Sequence, residues 1–196
     1  MRLIETKLEG VCILQMDVFK DERGYFYETF SSRKFNDAYS KLTNKHEEIV
    51  FVQDNESCSQ RNTLRGIHWQ TGEHAQAKLV RCTRGRLLDV AVDLRVDSPT
   101  FLKYVAVELS EENKMQLFIP RGFGHAFLAL EDNTVLNYKC DNYYNKQSEA
   151  NIYPLDCIVG IDWAFNNTDL VIMSDKDRNG SLSLNIDKEK LFTIGK

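Results

Sequence analysis

The sequence predicts a mainly β protein, an antiparallel jelly-roll barrel or sandwich with a few short peripheral helices. Three observations carry that prediction: apolar and polar residues alternate with period 2 in five or more short segments, turn signals separate them, and helical stripes are scarce. Segment 86–95, "RLLDVAVDLR", places Leu88, Val90, Val92 and Leu94 on one face and Asp89, Ala91, Asp93 and Arg95 on the other. That alternation is a strand. Segments 103–110 ("KYVAVELS"), 116–120 ("QLFIP"), 125–130 ("HAFLAL") and 134–140 ("TVLNYKC") read the same way. Arg84-Gly85-Arg86, Asp97-Ser98-Pro99 and Glu131-Asp132-Asn133 supply turns between them. Strands at such close spacing suit antiparallel sheets rather than a parallel α/β sheet.

Helix signals are few. Segment 31–42, "SSRKFNDAYSKL", opens on serine caps and gathers Phe35, Ala38, Tyr39 and Leu42 on one stripe. Residues 110–115 read as one turn capped by Ser110. Residues 178–196 are polar and contain glycine, with a short turn at "DKEKLF", so a docked or frayed extension follows a single domain over 1–177.

A chain of 196 residues buries one core of ordinary size. Its formal charge of -4 and pI near 5.6 argue against nucleic-acid binding, which needs a basic face. No window approaches the 18 or so apolar residues of a membrane span, and "MRLIETKLEG" is not a signal peptide. Cys12, Cys58, Cys82, Cys140 and Cys157 are odd in number and lack CxxC spacing, which favours reduced thiols and a cytoplasmic location.

Against that acidic background, residues 61–86 hold six Lys/Arg and one acid, Glu73, a local balance of +5. The stretch includes "RGIHWQTGEHAQAKLVRCTRGR", with His68 and Lys78. Lys78, Val80 and Cys82 share one strand face. A lysine turned into a barrel is costly to desolvate unless a partner or ligand uses it. Each residue also has a plain structural reading: Lys78 snorkelling at a strand end, His68 as a hydrogen-bonded structural histidine, Tyr138 as core. Their convergence on the strands of one barrel, beside surplus arginines, favours a site.

"DERGYFYETF" (21–30), "QDNES" (53–57), "LRGIHWQ" (64–70), "QAKLVRC" (76–82), "LDVAVDLRVDSPTF" (88–101), "IPRGFGHAF" (119–127), "YKCDNYY" (138–144) and "GIDWAF…MSDKD" (160–177) follow one another in order. Together they resemble the dTDP-4-dehydrorhamnose 3,5-epimerases, cupin-fold enzymes of the rhamnose pathway, over roughly nine-tenths of the chain. Ala126 stands where the family pattern expects glycine, and no proline follows Trp163.

The resemblance implies a dTDP-linked 4-ketosugar substrate whose C3 and C5 protons are acidified by the ketone. Removing either gives an enolate, and reprotonation from the opposite face inverts the centre, with no redox step, cofactor or metal. By family position His68 is the base and Asp177 its orienting partner, with Asp175 a rival that spacing does not separate. Lys78 sits by the C4 oxygen and Tyr138 is the proton donor on the other face. Arg65 and Arg23 suit the pyrophosphate. Glu28, Gln53 and Asn55 match nucleotide-holding positions, and His125, Glu149 and Lys176 further substrate contacts. The family also implies a homodimer in which N-terminal strands cross to the partner.

Three alternatives stand beside this reading. Relatives epimerise only C3 or only C5, or act on other nucleotide ketosugars. A metal-dependent cupin such as a dioxygenase is suggested by Pro120-x-Gly122-x-x-His125, although its first motif is missing at His68-Trp69-Gln70 and the remaining histidines are His46 and His74. A silent sugar- or nucleotide-binding jelly roll needs neither Tyr138 nor Asp177.

Overall fold

The computed structural model describes residues 1–164 and 170–194. Strand β1 (Arg2–Glu5) pairs with β2 (Cys12–Gln15), and a small separate hairpin follows from β3 (Phe19–Asp21) and β4 (Gly24–Phe26). Helix α1 (Ser32–Thr43) leads into β5 (Gln53–Ser59), β6 (Leu64–Gln70), β7 (Lys78–Arg84), β8 (Arg86–Asp93) and β9 (Tyr104–Ser110). Then come β10 (Gln116–Ile119), β11 (Phe123–Ala129), β12 (Thr134–Cys140), β13 (Glu149–Asn151) and the single turn of α2 (Asp175–Arg178).

Two antiparallel sheets form the body of a jelly roll. One has the order β1-β2-β10-β7-β12-β5, the other β13-β6-β11-β8-β9. β9 lies against β7 and β10 of the facing sheet, but no strand ladder runs from one large sheet into the other among the described residues. The interior is filled from both sides by Val80 and Cys82 of β7, Leu117 and Ile119 of β10, Leu136 of β12, Leu87 and Ala91 of β8, and Phe123 and Phe127 of β11. Burying each large apolar side chain contributes about 1.5–3 kcal/mol, so this layer holds the two sheets face to face.

Both sheets are also covered outside. α1 lays Phe35 and Tyr39 on Phe118 of β10, with ring centroids 5.0 and 4.9 Å apart. On the other side Val90, Val92 and Leu94 pack with Ile67 and Trp69 under Ile152, Val159 and Trp163. Thus β8 is buried on both faces. Its apolar row faces this outer layer, while the row carrying Asp89 and Ala91 looks into the jelly roll. The strand stops at Asp93 because that carboxylate turns back to accept the backbone N–H of Arg95.

The polar strand β5, "QDNESCS", pairs with β12 along its whole length, from Gln53↔Cys140 to Ser59↔Thr134. The C-terminal segment is docked: the Trp69 indole donates to the Lys190 carbonyl at 2.8 Å, Tyr153 N–H to Ser181 O at 2.9 Å, and Ser183 Oγ to the Asp156 carboxylate at 2.9 Å. No helix among the described residues is long and apolar enough to cross a membrane.

Candidate active site

Strand register assembles the site. β12 runs between β5 and β7, so Gln53, Cys140 and Lys78 share one cross-strand row, and Asn55, Tyr138 and Val80 the row two residues on. Val80 is interior core and Tyr138 packs against it. Lys78 and Tyr138, two residues apart along one wall, therefore point the same way. From the facing sheet, β6 brings His68 and Gln70, and β13 pairs Glu149 with Gln70. All of these but Val80 line a cavity of about 290 Å³, together with Gln76, Tyr144 and Trp69.

His68 is oriented from behind. Its Nε2 lies 2.5 Å from Asp177 Oδ1, and Asp177 is only 2 % exposed. Asp177 Oδ2 accepts Ser174 Oγ–H at 2.8 Å, and Oδ1 also receives the backbone N–H of Gly66 at 3.4 Å. A carboxylate surrounded by donors must take a proton-bearing Nε2, which leaves His68 Nδ1 as the unprotonated nitrogen. Burial pushes Asp177 up, but the hydrogen bonds from His68, Ser174 and Gly66 outweigh it and leave the carboxyl below its ordinary range. Asp175 is exposed at the start of α2, so the two aspartates that spacing left equal are separated by place. Gly66 has φ +121, and a side chain there would meet Ala126 Cβ at 2.4 Å. The alanine at 126 is accommodated because residue 66 has no Cβ.

Burial sets the remaining electrostatics. It lowers the His68 imidazole below its usual range, with Asp177 offsetting part of the fall. It lowers the Lys78 ammonium, against Cys140, Asp89 and Glu149, which favour the charged form. It raises the Tyr138 phenol, which keeps its proton through neutral pH. The Cys140 thiol is pushed up to about 11 by burial and is a neutral wall of the cavity. The Tyr138 hydroxyl and the Lys78 ammonium have no hydrogen-bond partner among the described residues and stand available to a ligand.

The other predicted residues divide. Gln53, Asn55 and Glu149 line the cavity, and Lys176 is ion-paired to Glu149, whose second oxygen accepts Tyr144 Oη–H at 3.3 Å. Arg65 lies outside the lining, donating to Ser59 Oγ and the Cys58 carbonyl at 3.2 Å each. His125 is across from His68 on β11 but sits deeper, with Nε2 2.7 Å from Asp89 Oδ1. Arg23 and Glu28 are away from the cavity and exposed, paired with Asp21 and Lys34. Tyr144, Gln70, Gln76, Cys140 and Asp89 were not singled out by the sequence. Tyr144 was signalled by the "YKCDNYY" motif, and Cys140 by sharing the parity of Tyr138. The two histidines that a metal cupin would use are each bonded to a separate carboxylate, and no group of three or more His, Cys, Asp or Glu is placed to hold a metal among the described residues.

Two proton-carrying groups on facing sheets, with a cation beside them, suit proton transfer at a carbon next to a carbonyl, and the scaffold is the jelly roll of the cupin-type epimerases. A sequence model of the dTDP-4-dehydrorhamnose 3,5-epimerase family matches residues 5–184. The chain is 47 % identical over 178 residues to the dTDP-4-dehydrorhamnose 3,5-epimerase of Methanothermobacter thermautotrophicus, covering 91 % of this chain and 92 % of the relative. It is 45 % identical to that of Escherichia coli K12, over 99 % and 95 % of the two chains. The crystal structure of the Legionella pneumophila dTDP-6-deoxy-D-glucose-3,5-epimerase, in complex with dTDP-4-keto-L-rhamnose, superposes with TM-score 0.90 at 40 % identity, covering 100 % of this chain and 99 % of that one. This chain belongs to the dTDP-4-dehydrorhamnose 3,5-epimerase family.

Proposed function

We propose that the protein epimerises C3 and C5 of dTDP-4-dehydro-6-deoxy-D-glucose, giving dTDP-4-dehydro-L-rhamnose, through enolates formed on one face of the sugar and reprotonated on the other. The observation that carries the reading is the His68–Asp177 pair facing Tyr138 and Lys78 across one cavity. His68 Nδ1 takes the proton from C3 or C5. Asp177 holds the ring and stabilises the imidazolium that forms. Lys78 sets positive charge against the C4 oxygen as the enolate's negative charge develops. Tyr138, protonated because burial raises it, delivers a proton from the opposite wall.

The nucleotide lies toward Gln53 and Asn55, and Arg65 exchanges its contacts with Ser59 and Cys58 for the pyrophosphate, where a guanidinium binds two oxygens at once. His125, Glu149 and Lys176 complete the surroundings of the sugar, His125 from below. We assign Arg23 and Glu28 to the site of a second copy in a homodimer. Arg23 lies in the turn of the β3–β4 hairpin and Glu28 just after it, and Phe19, Tyr25 and Phe26 of that hairpin are each more than half exposed. An apolar ribbon of this kind fits burial against a partner. Free cysteines throughout, two of them exposed, fit a reducing cytoplasm.

Incubating the enzyme with dTDP-4-keto-6-deoxyglucose in deuterated water and following C3 and C5 by NMR tests the reading. Deuterium at both carbons with inversion is expected. Exchange confined to C3 or to C5 would replace it with a mono-epimerase, and no exchange at either would end the epimerase reading for this chain.

A further inference from the structure

β8 buries a carboxylate that the proton transfer does not use. Asp89 is fully buried on the inward row of the strand, between Leu87 and Ala91. Its Oδ1 receives His125 Nε2 at 2.7 Å, while Oδ2 is buried with no hydrogen-bond partner among the described residues. A buried carboxylate oxygen that no protein donor reaches is costly, and such a group in a native fold calls for an explanation. On β7, Lys78 shares the parity of the interior residues Val80 and Cys82, as Asp89 shares that of Leu87 and Ala91 on β8, and Lys78 lines the cavity with no ion pair among the described residues. Five groups act on it: Cys140 from β12, Asp89 from β8, Glu149 from β13, Lys176 from α2 and His68 from β6. Of the two carboxylates, Glu149 is already held by Lys176 and Tyr144. Asp89 alone of the two has an uncommitted oxygen.

We propose that Asp89 is a positioning residue for the reaction: its free oxygen is the buried counter-charge that keeps the Lys78 ammonium protonated and aimed at the cavity, while His125 fixes the carboxylate through the other oxygen. The inference rests on the reading of Lys78 as the cation that meets the enolate. Desolvation pulls Lys78 toward the neutral amine, which cannot serve that charge. Coulomb attraction in a low-dielectric interior reaches beyond contact distance, so Asp89 can oppose the pull without forming an ion pair. His125 then acts from beneath the substrate, through Asp89 and Lys78.

Asp89→Asn is isosteric and keeps an oxygen for His125 while removing the charge. Since Lys78 works only when protonated, activity fails as pH rises through its pKa. Losing an opposing negative charge lowers that pKa, so the alkaline limb of kcat/KM should move to lower pH by about one pH unit, with kcat falling roughly tenfold and the Kd for dTDP unchanged. His125→Gln retains the Asp89 charge and should leave the limb in place. A limb that stays put in Asp89→Asn, with Asp89→Asn and His125→Gln equally lowering Tm, would make the pair purely structural and overturn the proposal. A titration needing no Asp89 variant is the NMR signal of Lys78 in the wild-type enzyme, assigned with Lys78→Arg. An ammonium persisting above neutral pH is expected, and a neutral amine at neutral pH overturns the proposal. Lys78→Met separates the two levels: full activity there removes the reading of Lys78 itself, whereas an inactive Lys78→Met with an unmoved limb in Asp89→Asn defeats the role of Asp89 alone.

Discussion

Replacing Asp177 by asparagine removes one charge from behind His68 and little else. In the wild type the carboxylate accepts from His68 Nε2 at 2.5 Å, from Ser174 Oγ at 2.8 Å and from Gly66 N at 3.4 Å. An amide has one oxygen for these donors and must turn an NH₂ toward another. If the oxygen stays on His68, the bond survives without charge assistance, and the imidazolium formed on proton abstraction loses about 1.5–3 kcal/mol of stabilisation. At 1.36 kcal/mol per decade that is roughly a 10- to 150-fold loss in kcat. If the NH₂ turns to His68, the proton shifts to Nδ1 and the base is lost, with a fall approaching about 10⁴-fold. The pH profile adds a signed test. Burial lowers His68 and Asp177 partly restores it, so losing Asp177 lowers the imidazole further and moves the acid limb of kcat/KM to lower pH. The assay is kcat/KM across the acid range, with the Kd for dTDP as a check that the fold survives. Activity within about threefold of wild type and an unmoved acid limb would refute the orienting role.

Arg65→Ala should raise the Kd for dTDP about 10- to 100-fold and weaken its salt dependence, because a charge-assisted pair with the pyrophosphate is lost; equilibrium binding at two ionic strengths checks it, and unchanged affinity means Arg65 points elsewhere. Activity should survive prolonged chelation, because Lys78 supplies the positive charge that a Lewis acid would otherwise bring; loss of activity on stripping a stoichiometric metal held by His68 and His125 would revive the metal-cupin reading. Mixing inactive His68→Ala with Arg23→Ala should restore up to about a quarter of wild-type activity if each site borrows Arg23 from its partner, since half of the subunits pair across types and each such dimer has one intact site. No complementation after subunit exchange would place Arg23 outside the partner's site.

Much of this arrangement was legible in the chain. Alternation located β8 to β12 within one or two residues, because each is apolar on at least one face and bounded by turn residues. β5 escaped because "QDNESCS" is polar on both faces, and its pairing with β12 supplies what the residues do not. Alternation also left open which row of β8 looks inward. The row with Asp89 does so because the C-terminal layer covers the other. At the site, His68, Lys78 and Tyr138 were picked out by charge in an unusual place together with the family motifs. The choice of Asp177 over Asp175 depended on which of them folds back onto His68, far away in the chain. The depth of His125 depended on a partner three strand positions past the turn into β8, which no spacing rule reveals. Arg23 and Glu28 are candidates by family position alone, since within one chain they pair with their own neighbours and lie away from the cavity.

The division of labour between the two walls is tested most directly by Tyr138→Phe, with deuterium uptake and configuration measured in the same NMR experiment. Phenylalanine keeps the ring that packs against the interior core and removes only the hydroxyl. If His68 abstracts and Tyr138 returns the proton, the variant still forms the enolate, and His68 reprotonates it on the original face. Deuterium should then enter at C3 or C5 with configuration retained, while inversion falls by about 10²–10⁴-fold. Exchange and inversion lost in equal measure, or inversion at the wild-type rate, would contradict the account.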